Sequence, residues 1–220
     1  MTMHFSCRDR NLLAIQSDLL GCHATGVRNI LAVTGDPATI GDYPSATSVF
    51  DVDAIGLCRI LRRFNEGVDL AGYSVGVRCG FLIACAYNPN AIDQVVEDDR
   101  LRRKVEAGAQ MIYTQPIFDE ASLDRCVTLA AEVQRPVIVG IMPLRSTRHA
   151  EFMHNEVPGV DVPQTLRLAL SQAPDDDHAL KVGMEEAHRM TALVRQSAQG
   201  LYLMPPSGSA EIAADLLVGR

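Results

Sequence analysis

The sequence predicts an α/β protein built from repeated strand–helix units of the (β/α)8 TIM-barrel type, on three observations. Short apolar runs alternate with helix-period segments along all 220 residues. The runs at residues 31–37 (LAVTGDP) and 113–119 (YTQPIFD) break abruptly into polar residues and a loop, with a helix-like segment following. Nearly every other strand-like run ends the same way, as expected when parallel strands deliver side chains to one barrel rim. About six of the eight βα units of a barrel are countable, so the barrel is expected to be truncated at its N-terminus. An open doubly wound sheet fits the count as well. Against it, no G-x-G-x-x-G follows any strand, and no G-x-x-x-x-G-K-[ST] occurs. No linker or low-complexity tract marks a boundary, so one domain over residues 1–220 is expected.

Taken in order, residues 3–7 read as the tail of a strand and residues 8–10 as its loop. Residues 11–20 form a helix whose apolar face is Leu12, Leu13, Ile15, Leu19 and Leu20. Gly26 punctuates the chain before a strand at 29–33, and a Gly/Pro/Asp-rich loop fills 35–45. A helix at 52–65 is stopped by Gly67. The next strand, 81–86, ends in Tyr87-Asn88-Pro89. A charged helix at 97–107 precedes a strand at 110–114 and a helix at 121–133. The strand at 136–142 ends at Pro143, and a helical turn covers 147–154. A long helical tract reaches about residue 198, with interruptions at 159–163 and 174–177. The last strand, 200–204, meets Pro205-Pro206, and a helix at 210–217 closes the chain.

Composition narrows the function. Hydrophobic residues make up 47% of the chain, enough for a full core. A net charge of -7 and a pI near 5.3 argue against a nucleic-acid partner, because phosphate binding needs a basic surface. No apolar run approaches the ~20 residues of a membrane span, and the first residues lack a secretory h-region. The six cysteines are scattered, with no C-x-x-C pair and no histidine at ligand spacing. They read as reduced thiols of a cytoplasmic protein, and no metal site is expected.

Two side chains stand out at strand ends. Asp36, in a T-G-D-P turn, offers a carboxylate that accepts hydrogen bonds from ring N–H groups, and Gly35 lets backbone approach a flat ring. The bland alternative for Asp36 is a helix cap or turn aspartate. Gln115 offers one acceptor and two donors, matching the mixed edge of a pterin or nicotinamide; a strand-capping glutamine is the bland alternative. A carboxylate and an amide suggest a site for a polar heterocycle, not a nucleophilic triad. Arg100, Arg103 and Lys104 fall at i, i+3 and i+4, a spacing able to hold a pyrophosphate or merely to form a solvated, ion-paired face.

The ordered set CRDRN, QSDLLG, NILAVTGDP, GDYP, VFDVDAIGL, RKVEAGA, YTQPIFD, GIMPL, AEFMHNEVPGVDVP and YLMPP resembles the methylenetetrahydrofolate reductase family. The resemblance runs from about His4 to Leu217, and the wording is nearest the branch that can be fused to a homocysteine methyltransferase domain. It implies a (β/α)8 flavoprotein that moves a hydride from NADH or NADPH to FAD. From FAD the hydride passes to 5,10-methylenetetrahydrofolate, giving 5-methyltetrahydrofolate in one-carbon and methionine metabolism. It assigns Asp36 as the catalytic residue, set between flavin and pterin, with Gln115 toward the folate substrate. His149, on the short helix after Pro143, is in reach of the folate tail or the nicotinamide nucleotide, or is barrel wall. His4, Thr34, Gly35, Asp36, Ala86 and the pair Arg103-Lys104 become the FAD contacts, and Arg100, by its spacing on the same helix, is added to them.

Two departures accompany the resemblance. Relatives carry about two further βα units ahead of His4, the first bearing a glutamate that acts as general acid toward N5, and no residue here matches it. Ser209 stands where relatives commonly have an arginine facing the folate, and serine cannot replace a guanidinium fork. A non-catalytic or partner-dependent flavin-barrel subunit is therefore the alternative. Uncovered edge strands are a liability, so a homo-oligomer, or an added N-terminal segment or subunit completing the barrel, is expected. An aldolase-like barrel needs a strand-end lysine, and the only two lysines, Lys104 and Lys181, lie in helix-like segments.

Overall fold

The computed structural model describes residues 1–218. Strands and helices alternate: β1 (Thr2–Ser6), α1 (Leu12–Ala24), β2 (Asn29–Val33), α2 (Ala54–Glu66), β3 (Leu82–Tyr87), α3 (Gln94–Glu106) and β4 (Met111–Pro116) come first. They are followed by α4 (Glu120–Glu132), β5 (Val137–Ile141), α5 (Thr147–Glu156), α6 (Gln164–Ser171), α7 (Asp176–Ser197), β6 (Gly200–Leu203) and α8 (Ala210–Val218). The six strands stand in the sheet in chain order, β1-β2-β3-β4-β5-β6. Pairing is parallel for β1 with β2, β2 with β3 and β5 with β6. A doubly wound sheet reverses its order at a switch point, whereas a barrel wall never does. The order thus settles the alternative that strand counting leaves open: six consecutive units of the barrel type.

By internal contacts the chain divides into two compact units, Met1–Ala86 with Asp98–Ile112, and Tyr87–Glu97 with Tyr113–Arg220. In the first unit β2 is apolar after its opening Asn29, and Ile30, Leu31 and Ala32 are buried. The α2 helix buries Leu57, Cys58, Ile60, Leu61 and Phe64, a three-to-four residue repeat that defines one apolar face. Its ends are written in the sequence. Asp53 caps the Gly56 N–H, and Gly67 closes the helix in the left-handed region at φ 88°. Between α2 and β3 an antiparallel bridge joins Val68 and Ser74, which periodicity does not announce.

In the second unit the core gathers Phe118, Leu144, Ala150, Met153, Val160, Val162, Leu166, Leu170 and Ala179. The α4, α5 and α7 helices start at Asp119, Ser146 and Asp175, whose side chains accept the N–H of Ser122, His149 and His178. Gly183 of α7 lies against the Leu144 carbonyl, which a Cβ would approach to 1.8 Å.

Boundaries move in two places that matter. The α3 helix begins at Gln94 rather than 97, because Asp93 accepts the Val96 N–H at 3.0 Å. The β4 strand runs on to Pro116, so Gln115 sits within the strand and its direction is fixed by the pleat. None of the six cysteines is in a disulfide, and five of them are buried. Burial pushes the Cys7 thiol up to about 11 and the Cys126 thiol up to about 12, and raises Cys58 further still.

Candidate functional site

In the first unit, the residues after β1 and β2 form one hydrogen-bonded turn. Ser6 Oγ donates to the Thr34 carbonyl at 3.4 Å, and Arg8 Nη1 donates to the Asp36 carbonyl at 3.2 Å. Thr34 Oγ1 accepts the Ala54 N–H at 3.1 Å, so this side chain tethers the first turn of α2. Gly35 has φ 90°, and a Cβ there would come within 2.2 Å of Ser6 Oγ. Packing against Ser6 therefore demands the glycine in its own right. Asp36 caps no helix: Asp53 caps α2, and Pro37 precedes the 3-10 turn at Ala38–Ile40. Its carboxylate is exposed and makes no hydrogen bond or ion pair among the described residues. His4, on β1 and in register with Leu31, is exposed too.

The three cations of α3 part company. Lys104 is only 5% exposed, and its Nζ donates to the Ala86 carbonyl near the end of β3 at 2.8 Å. Arg100, one turn earlier on the same face, reaches the Asp53 carboxylate at 3.5 Å. Arg103 faces elsewhere. It lines a groove of about 310 Å³ between α2 and α3, beside Arg59, Arg62 and Arg63, with Asp99 at 3.9 Å. Thr34, Gly35, Asp36, Ala86, Arg100 and Lys104 thus belong to strand ends and the adjoining helix face of one unit, His4 lies in the middle of β1 rather than at its end, and Arg103 stands apart from them.

The second unit carries the other candidates. Gln115 is half-buried, and its amide makes no hydrogen bond among the described residues. Beneath it, Tyr202 Oη donates to the Thr114 carbonyl at 2.5 Å, and Gly140 N–H donates to Thr114 Oγ1 at 3.0 Å. Sequence reasoning passes over Tyr202. The available signal is the pleat of β4, which places Tyr113 and Gln115 on one face. His149 is half-buried after the Ser146 cap, and its Nδ1 accepts the Arg145 N–H at 3.3 Å. Burial, and then the Arg145 cation, lowers its pKa, so the ring is neutral at pH 7 with Nε2 carrying the proton. Ser209 has a local task, since its Oγ accepts the Ile212 N–H at the start of α8. Lys104 and Lys181 both lie on helices. No group of three His, Cys, Asp or Glu side chains among the described residues could hold a metal ion.

Comparison with known proteins adds independent information. The family model described as "Methylenetetrahydrofolate reductase" matches residues 1–209. "Methylenetetrahydrofolate reductase 1" of Schizosaccharomyces pombe is 31% identical over 189 residues, which cover 81% of this chain and 28% of that protein. "Methylenetetrahydrofolate reductase 2" of Saccharomyces cerevisiae is 28% identical over 182 residues, covering 81% and 29%. "5,10-methylenetetrahydrofolate reductase" of Salmonella typhimurium is 25% identical over 183 residues, covering 81% and 55%. The chain thus spans under a third of the yeast proteins and about half of the bacterial one. Among solved structures, tryptophan synthase subunit alpha from Legionella pneumophila aligns with a TM-score of 0.44 at 15% identity. That alignment covers 93% of this chain and 79% of that one, and the fold assignment rests on strand order without it.

Proposed function

The chain belongs to the methylenetetrahydrofolate reductase family, and from that premise we propose that it reduces 5,10-methylenetetrahydrofolate to 5-methyltetrahydrofolate with FAD and NAD(P)H. The observation that carries the reading is Asp36, a carboxylate just past the end of β2 that caps no helix and makes no ion pair among the described residues, with the Arg8 guanidinium as a neighbouring charge. An exposed carboxylate of this kind is available to ring N–H groups and exocyclic amines.

The first unit fits an FAD. A diphosphate needs cations, and Arg100 and Lys104 share one helix face near the Ala86 carbonyl. A flat ring needs close backbone, which the turn at Gly35 offers. When bound, the flavin supplies the hydride chemistry, accepting from NAD(P)H and donating to the folate. The chain binds, orients and tunes. Asp36 accepts from the pterin and, by its negative charge, opposes build-up of electrons on the flavin. Gln115 presents a donor and an acceptor to the pterin edge. His149, neutral with a proton on Nε2, donates a hydrogen bond to an uncharged acceptor or a carboxylate of the folate or nicotinamide nucleotide. The cytoplasm is the compartment that suits six cysteines outside any disulfide.

The test has two arms. Protein refolded with excess FAD is expected to quench flavin fluorescence and to oxidise NAD(P)H with menadione as acceptor; absence of flavin binding overturns the cofactor assignment. Gln115→Glu removes both amide donors and adds a carboxylate. Folate binding should weaken at least ~10-fold, as for a half-buried donor lost and a charge gained, with flavin retained. Loss of flavin with unchanged folate affinity would show the two ligands reversed.

A further inference from the structure

Tyr202 reaches across a neighbouring strand, and one glycine makes that possible. In the β5–β6 register Tyr202 stands opposite Gly140. A Cβ on Gly140 would lie 2.9 Å from Tyr202 Oη and 3.0 Å from Cζ, tighter than real contacts allow. With no Cβ there, the tyrosine ring lies over β5 and arrives at β4. Its ring meets Tyr113 with centroids 5.5 Å apart and planes at 55°. Its hydroxyl donates to the Thr114 carbonyl at 2.5 Å.

That carbonyl belongs to the Thr114–Gln115 peptide. On β4, Ile112, Thr114 and Pro116 are buried, whereas Tyr113 and Gln115 are half-buried on the opposite face. The contact with Tyr113 places the Tyr202 ring on the Gln115 face. Thr114 is held by its side chain as well, since Gly140 N–H donates to its Oγ1 at 3.0 Å. Gln115 itself has no hydrogen bond among the described residues to orient its amide. Its aim is therefore set by the peptide that carries it.

We propose that Tyr202 is a positioning residue for Gln115: its hydroxyl fixes the Thr114–Gln115 peptide and so the direction in which the amide meets the folate. The inference rests on the reading of Gln115 as a folate contact and adds how that contact is held. Burial, and then Tyr113, pushes the Tyr202 phenol up to about 12, so at neutral pH the hydroxyl keeps the proton it donates. A phenylalanine would fill the same space without the bond, which makes the hydroxyl separable from the ring.

The experiment measures 5-methyltetrahydrofolate affinity by calorimetry on the full chain, with flavin content and thermal midpoint recorded alongside. Tyr202→Phe is expected to raise Kd about 5- to 10-fold, the range of one lost hydrogen bond, with flavin content unchanged. In a Gln115→Ala background the same substitution should add nothing, because there is no amide left to aim. A merely structural role predicts instead an additive loss. Gly140→Ala pushes the hydroxyl away by another route and should reproduce the Tyr202→Phe affinity; if Tyr202→Phe does not fold, this variant decides by the same criterion. An unchanged Kd, or additivity in the double variant, overturns the positioning role. Should Gln115→Ala itself leave Kd unchanged, the reading of Gln115 falls and the positioning role with it.

Discussion

Arg103 and Lys104 are neighbours in sequence and about 100° apart around α3, so one helix sends them to different surroundings. Lys104 is buried against the Ala86 carbonyl; Arg103 joins three other arginines in the groove beside α2. An adjacent R-K pair is legible in the sequence, but the faces are not, because they depend on which stripe of the helix the sheet covers. Asp36 shows the converse. Its place at a strand's end is legible from LAVTGDP alone, while its freedom from capping emerges only once Asp53 is seen to cap α2. Gly35 is legible as a special position for a reason that is only part of the account, since Ser6 packs where its Cβ would be. The geometry makes a prediction that the motif does not. Lys104→Met keeps the buried stem and removes the ammonium, so FAD affinity should fall at least ~10-fold, as expected for a lost charge-assisted bond. Arg103→Ala should leave it within about twofold, the usual scale for an exposed ion-paired side chain. Flavin fluorescence quenching measures both, and equal losses would return Arg103 to the flavin.

Helices α1 and α7 each contain a glycine, and the sequence cannot rank the two. Gly21 of α1 has nothing within 4 Å of where a Cβ would go, whereas Gly183 of α7 has the Leu144 carbonyl at 1.8 Å. The difference comes from tertiary packing: the chain leaving β5 runs directly over α7. Gly21→Ala should therefore stabilise the protein by about 0.5–1 kcal/mol, the helix-propensity gain alone. Gly183→Ala forces backbone to move and should destabilise by at least ~3 kcal/mol, lowering the thermal midpoint by about 6–12 °C. Equal midpoints for the two variants would show that α7 and the 142–146 segment are not packed as described. Strands and helix starts were far more legible than this contact. Apolar runs and Asp or Ser caps are local signals, which Asp53, Asp119 and Ser146 display, and close backbone approach is not. The early start of α3 at Gln94 escapes periodicity because Val95 and Val96 are exposed and mark no buried face.

At the scale of the whole chain, buried thiols and a phenol give stability a direction with pH. Cys7, Cys58 and Cys126 each titrate from 9 in the unfolded chain to higher values in the fold, about 11 for Cys7 and about 12 for Cys126. Burial is the first cause in all three, since a thiolate loses its hydration inside the core. Tyr202 moves the same way, from 10 to about 12. A raised pKa means that the folded chain holds the proton longer than the unfolded one. Below pH 9 both states are protonated at these sites, and stability does not depend on them. Above pH 9 the unfolded state releases protons first, so stability falls, and the loss continues until the folded-state values are passed. Each thiol contributes a slope of up to ~1.4 kcal/mol per pH unit, so three together reach about 4 kcal/mol per unit. Against a total stability of roughly 5–15 kcal/mol, a loss on that scale is a large fraction of what holds the fold together. Urea midpoints measured from pH 7 to 11 should be flat with respect to these groups up to about 9 and then fall steeply. Replacing Cys126 with alanine should lower the midpoint at pH 7, because a buried side chain is lost, yet shallow the alkaline slope by up to ~1.4 kcal/mol per pH unit, the share of one thiol. A midpoint that stays level to pH 10.5, or a slope indifferent to Cys126, would mean that these thiols meet water in the folded chain.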